Sequence, residues 1–219
     1  MDAVGLCRAV DERFAVTGAG TPPWPDPHAD RDVHEEEYSR CLDPAKYRIL
    51  ATRAEAWTRA LDELGLAISE TVAEPAATTI WKRKPDPAVA SAVRLRPVRT
   101  DALPLVFGFS AMDKIPGTLL TLGAGTPAVQ LGTLPDCGCD ACDDGSADLL
   151  DALDALVLAV VTGELVHIDA GQGREIIHTR EGCYSSSDWP DAGPSEEEAL
   201  AAARTDRSRH RVLRGPAWE

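Results

Sequence analysis

Three cysteines, Cys137, Cys139 and Cys142, fall within six positions of the segment PDCGCDACDDGS. Thiolates are soft ligands, and three of them on one short bend can face a common point, as a tetrahedral zinc or an iron centre requires. Gly138 is expected to permit the curl by adopting a positive φ. A closed structural zinc site takes four ligands, and neither a second C-x-x-C nor an H-x-x-x-H accompanies the three. The fourth donor must come from elsewhere in the chain or from solvent. Candidates are His167, His178 and Cys183, with Cys41 more distant.

Electrostatics bears on what the loop could hold. Asp136, Asp140, Asp143 and Asp144 surround the thiols, and no Lys or Arg lies between Lys114 and Arg174. Carboxylates raise thiol pKa values and concentrate cations, so this setting favours capture of a metal, most simply zinc, over a reactive thiolate. Two other uses stay open: a Cys139–Cys142 thiol–disulfide pair, and a tight turn of reduced thiols that binds nothing. A calcium loop does not fit. Asp140, Asp144, Gly145, Asp148 and Asp151 match EF-hand spacing, but Cys142 stands at the third position and Asp151 replaces the bidentate Glu.

No catalytic motif is recognised, which favours a non-enzyme. Gly123-Ala124-Gly125 precedes Thr126-Pro127 and an apolar strand pattern, so it reads as a hairpin turn and not a phosphate loop. Ser185 to Ser187 has no G-x-S-x-G around it and reads as a polar loop.

The elements that must position the thiols follow from periodicity. Asp43 and Pro44 open a helix over 44–64, along which Tyr47, Leu50, Ala54, Trp57 and Leu61 recur at three- and four-residue steps until Gly65 stops it. Tyr47 and Trp57 are expected in the core. From 91 to 134 the pattern changes to short antiparallel strands, SAVRLRP, LPLVFGF, GTLLTLG and AVQLGTL. Ser146 is the expected N-cap of a second helix running to Gly163, with Asp148, Asp151 and Asp154 near its positive end. ELVHID and REIIHT flank AGQG as a hairpin. A turn centred on Gly171 and Gln172 would set His167 opposite Ile176 and on the same face as His178. Ser195 and Glu198 form a capping box for a third helix, followed by an arginine-rich end from Arg204 to Arg214.

This order of elements predicts an α+β fold, a single domain with a mostly antiparallel sheet packed by two or three helices. Its parts are a Pro-rich N-terminal arm over 1–43, the α+β domain over 44–182, and a loop with the C-terminal helix over 183–219. Pro22, Pro23, Pro25 and Pro27 make residues 18–37 irregular, and Trp24 is expected to anchor them.

With 22 Lys and Arg against 36 Asp and Glu, the net charge is -14. Such a chain repels nucleic-acid phosphates and anionic lipid and suits a basic protein partner, so the alternative to a metal protein is an acidic interaction module, immunity-like or regulatory, whose cysteine loop is merely a tight turn. The longest purely apolar run, Ala155 to Val161, is too short to span a bilayer, so no membrane association is expected. Clustered cysteines and the lack of an export signal point to a reducing cytoplasm.

At PDCGCDACDDGS with its leucine-rich acidic helix, and at YRILATRAEAWTRALDELGLA, the chain resembles an uncharacterised actinobacterial family known as a domain of unknown function. The likeness covers roughly residues 36–182, with Cys7, Cys41 and Cys183 outside the family's pattern. The resemblance implies that the three-cysteine loop and the helix around Trp57 belong to one domain. It carries no activity, substrate or cofactor.

Overall fold

The computed structural model describes residues 2–179, 182–185 and 194–219, with the backbone alone at 183–185. Ser186 and Ser187 of the polar loop lie outside these residues. Five antiparallel strands, β1 (Ala67–Ala73), β2 (Ser91–Pro97), β3 (Leu105–Met112), β4 (Ile115–Ala124) and β5 (Val129–Leu134), follow one another as a meander in the order β1-β2-β3-β4-β5. The last four match the alternation read from 91 to 134. The edge strand β1 was not anticipated, because of its seven residues only Ala67 and Val72 are buried.

Helices α2 (Ile49–Glu63) and α4 (Ser146–Val161) cover one face of this sheet, and α1 (Ala3–Thr17) packs on α2. Leu95, Leu105, Phe107, Leu120 and Leu122 meet Leu50, Trp57, Leu61, Leu153 and Val157 in one core. The short α3 (Ala76–Thr79) and Trp81 close the opposite face over Ala92 and Val106. Tyr47 and Trp57 are buried, as the apolar stripe required. The expected helix over 44–64 begins as a 3-10 turn at Pro44–Arg48 before α2, and Gly65, at φ +68, ends it.

A helix at residues 3–17 was not read from the sequence. Asp2 caps α1 by accepting the Gly5 N–H at 2.8 Å, and Leu6 and Val10 pack into the main core. Exposed Val4 and Val16 on the same helix blur its apolar stripe. The irregular, Pro-rich stretch begins only after it.

The second sheet has the order β8-β7-β6-β9, from β6 (Val166–Gly171), β7 (Arg174–His178), β8 (Cys183–Ser185) and β9 (Arg211–Leu213). Helix α5 (Glu196–Arg204) lays Ala199, Leu200 and Ala203 on Val166, Ile168 and Ile176. Its capping box forms as expected: the Ser195 hydroxyl accepts the Glu198 N–H, and the Glu198 carboxylate accepts the Ser195 N–H. The whole is an α+β fold with antiparallel sheets. Among the described residues no helix is long and apolar enough to cross a membrane.

The hairpin register corrects the sequence expectation. Gly171, Gln172 and Gly173 all take positive φ, and an irregularity between Asp169 and Gly171 shifts the pairing. His167 therefore faces Ile177, and His178 faces Val166. Side chains alternate along a strand, so a one-residue shift puts the two histidines on opposite faces.

Candidate metal centre

The thiol loop joins β5 to α4 and contains one 3-10 turn, Asp140–Cys142. Cys137, Cys139 and Cys142 are free thiols whose sulfur atoms all lie within 4.8 Å of one another. The Cys137 Sγ stands 3.2 Å from the Cys139 Sγ, in hydrogen-bond contact. This group could hold a metal ion.

Gly138 does not take the positive φ expected of it. A Cβ there would come within 2.2 Å of Met112 Cε and 2.6 Å of its sulfur, so Met112 from β3 occupies the space a side chain would take. Gly145, by contrast, sits at φ +90 and ψ 168, a region open almost only to glycine. The N-terminal arm crosses it so closely that a Cβ would lie 2.7 Å from the Asp26 nitrogen.

That arm staples the loop. The Trp24 carbonyl accepts the Ser146 N–H at 3.0 Å, and the Ser146 hydroxyl accepts the Trp24 N–H at 3.0 Å. Ser146 is thus not the N-cap expected of it. Gly145 takes that position, and one of the unpaired N–H groups at the start of α4 is satisfied by the arm. The Trp24 indole donates to Asp143 at 2.9 Å, and Lys46 Nζ lies 2.5 Å from the same carboxylate. Lys46 also stands over the Trp24 and Tyr47 rings, 5.4 and 5.1 Å from their centroids. On the other side Arg40 Nε donates to Asp140 at 3.2 Å, the Leu42 N–H to its second oxygen at 3.1 Å, and the Asp140 N–H to the Arg40 carbonyl at 2.8 Å.

These contacts revise the electrostatics. The loop has no basic neighbour in sequence, yet Arg40 and Lys46 arrive through the fold and pair two of its four carboxylates. Burial alone would raise the Asp143 carboxyl, but hydrogen bonds from Lys46, Trp24 and the Gly145 N–H hold it below the usual range. Within the sulfur group, the hydrogen bond from Cys137 draws the Cys139 thiol down against a partial burial effect. Hydrogen bonding to Cys139 and Cys137 pushes the Cys142 thiol up to about 12.

Two of the candidate fourth donors, His167 and His178, lie elsewhere. His167 is buried with Nε2 3.0 Å from Glu175 Oε2, and His178 Nε2 stands 3.2 Å from Arg204. Burial, then the Arg204 charge, lowers the His178 pKa. Neither belongs to the sulfur group, and among the described residues no further His, Cys, Asp or Glu joins it. Cys183 pairs with His178 across β7 and β8, and its side chain lies outside the description. Cys41, thought distant, follows Arg40 and precedes Leu42, the two residues bound to Asp140. Burial, then the Asp140 charge, raises its thiol pKa. Sequence reasoning missed Trp24, Arg40 and Lys46 as loop partners, for which no spacing signal exists; only the anchoring role of Trp24 was read.

Fold and site together define an α+β protein with a three-thiol cluster able to take a metal ion. Residues 10–219 match a family of unknown function, DUF6226, and the chain belongs to that family. The match reaches well beyond the stretch of 36–182 over which the resemblance was read, taking in most of α1 and all of the second sheet. No curated protein and no solved structure matches the chain.

Proposed function

We propose that Cys137, Cys139 and Cys142 bind one zinc ion as thiolates, and that the ion has a structural role at the junction of β5, α4 and the N-terminal arm. The carrying observation is the convergence of three sulfurs within 4.8 Å on one six-residue loop. Thiolates about 2.3 Å from a tetrahedral zinc stand about 3.8 Å apart, which the loop reaches with small side-chain adjustments. Zinc displaces the thiol protons, and its charge offsets the repulsion among the three thiolates that result. The fourth position falls to solvent. Such a site needs reduced thiols, as a cytoplasm supplies.

Elemental analysis of untagged protein tests the reading, with about one equivalent of zinc expected. Less than about a tenth of an equivalent of any metal, with all three thiols freely alkylated, overturns it. The lowered Cys139 pKa favours a second reading, a Cys139–Cys142 thiol–disulfide couple. That reading predicts that Cys139 in metal-free protein alkylates faster at neutral pH than an ordinary thiol.

A further inference from the structure

A cavity of about 470 Å³ opens beside the thiol loop, between β5 and the first turns of α4. Cys137 and Cys142 form part of its wall. Leu131, Leu149 and Leu156 give it an apolar side, and Asp136, Asp144 and Asp148 stand around it as exposed carboxylates. Unlike Asp140 and Asp143, Asp144 and Asp148 are in no ion pair with a described residue. No fourth protein donor among the described residues joins the sulfur group, and two of its three residues line this space.

We infer that the fourth coordination position of the metal opens into this cavity and takes a small exogenous ligand, a short-chain thiol or amine that carries a positive charge. The inference rests on the zinc reading and deepens it. A metal already holding three thiolates prefers a further sulfur or nitrogen donor. A divalent ion with three thiolates is itself net negative, and the unpaired carboxylates add to that field, so an anionic ligand is repelled and a cationic one drawn in. The leucine side receives the alkyl chain between donor and charge. On binding, a thiol loses its proton to solvent and its sulfur replaces the metal's water, with no change of oxidation state.

Cobalt(II) loaded into the full chain reports both levels. Thiolate-to-cobalt absorption should appear, and its absence would defeat the zinc reading itself. Titration with cysteamine, which carries an ammonium, and with 3-mercaptopropionate, which carries a carboxylate, then addresses the ligand. The visible bands should shift with cysteamine. Bands that stay unmoved, or vanish because the thiol strips the metal, overturn the inference and leave the zinc reading standing.

The preference for cysteamine should shrink about threefold in an Asp144→Asn, Asp148→Asn double variant, a comparison in which the intrinsic acidities of the two thiols cancel. An unchanged preference would overturn the charge assignment. Ala152 is exposed and lines the same cavity, so Ala152→Trp should weaken cysteamine about tenfold while leaving the ligand-free spectrum alone. Equal binding in that variant would place the ligand elsewhere. Cys41→Ser should bind like the parent chain. A shift that appears only in Cys41→Ser would mean that Cys41 fills the fourth position, and would overturn the inference.

Discussion

The thiol loop and the histidine hairpin both offered metal-binding side chains, and the fold treated them in opposite ways. In the loop, Cys137, Cys139 and Cys142 are tied by at most five peptide bonds, and their sulfurs meet. In the hairpin, His167 and His178 are eleven residues apart, and their meeting depended on a register that the turn shifted by one. Each histidine found its own partner, Glu175 or Arg204, on opposite faces of the sheet. Proximity enforced by the covalent chain survives folding, whereas proximity across a ladder is decided by turn geometry.

The sharpest way to break this contrast is at the thiols. Cys139→Ser is expected to lower bound zinc from about one equivalent to below about a tenth, while His167→Ala leaves it unchanged, both read by elemental analysis. A histidine variant that lost metal would erase the distinction between the two regions. Next in size is Gly145→Ala, which forces a side chain into a backbone region that costs about 3 kcal/mol and into contact with Asp26. Denaturant unfolding should show that loss, and metal affinity should fall with it as the arm detaches. An intact affinity would separate the arm from the loop.

His167→Ala should itself cost about 2 kcal/mol in the same unfolding assay, because it empties a buried site and removes a partner of Glu175. The smallest effect belongs to Asp169 in the hairpin. The Lys82 ammonium, against some burial and with help from the Gly171 N–H, holds that carboxyl below its ordinary 3.8. A depressed folded pKa contributes stability that is present above the unfolded pKa and lost as the pH falls through the folded one. Lys82→Met should therefore remove about 1 kcal/mol at neutral pH and flatten this part of the acid dependence, measured as unfolding free energy from neutral pH downwards.

Much of the fold was legible. Strands β2 to β5 and helices α2, α4 and α5 follow from apolar periodicity and caps, since each buries one face and its sequence must show it. Helix α1 and strand β1 escaped because each buries only two residues, too few to make a pattern. At the site, the three thiols were legible as a cluster and their environment was not. The loop reads as uniformly acidic, yet Arg40 and Lys46 pair Asp140 and Asp143 from about a hundred positions away. Ser146 has the residue type of an N-cap, and the arm claimed its hydroxyl first. Met112 lies over Gly138, a neighbour that no local rule reveals.

By itself the amino-acid order determined which donors exist, how close the three thiols must be, and which segments alternate or wind. Those properties are set by bond lengths and by periods of two and 3.6 residues, which act within a few positions. Tertiary structure decided what surrounds the thiols: two cations that answer two of the acids, a proline-rich arm across Gly145, a methionine over Gly138, and an open space beside Cys137 and Cys142. Such neighbours are brought together by burial of a shared core, a force without direction that leaves no mark on local spacing.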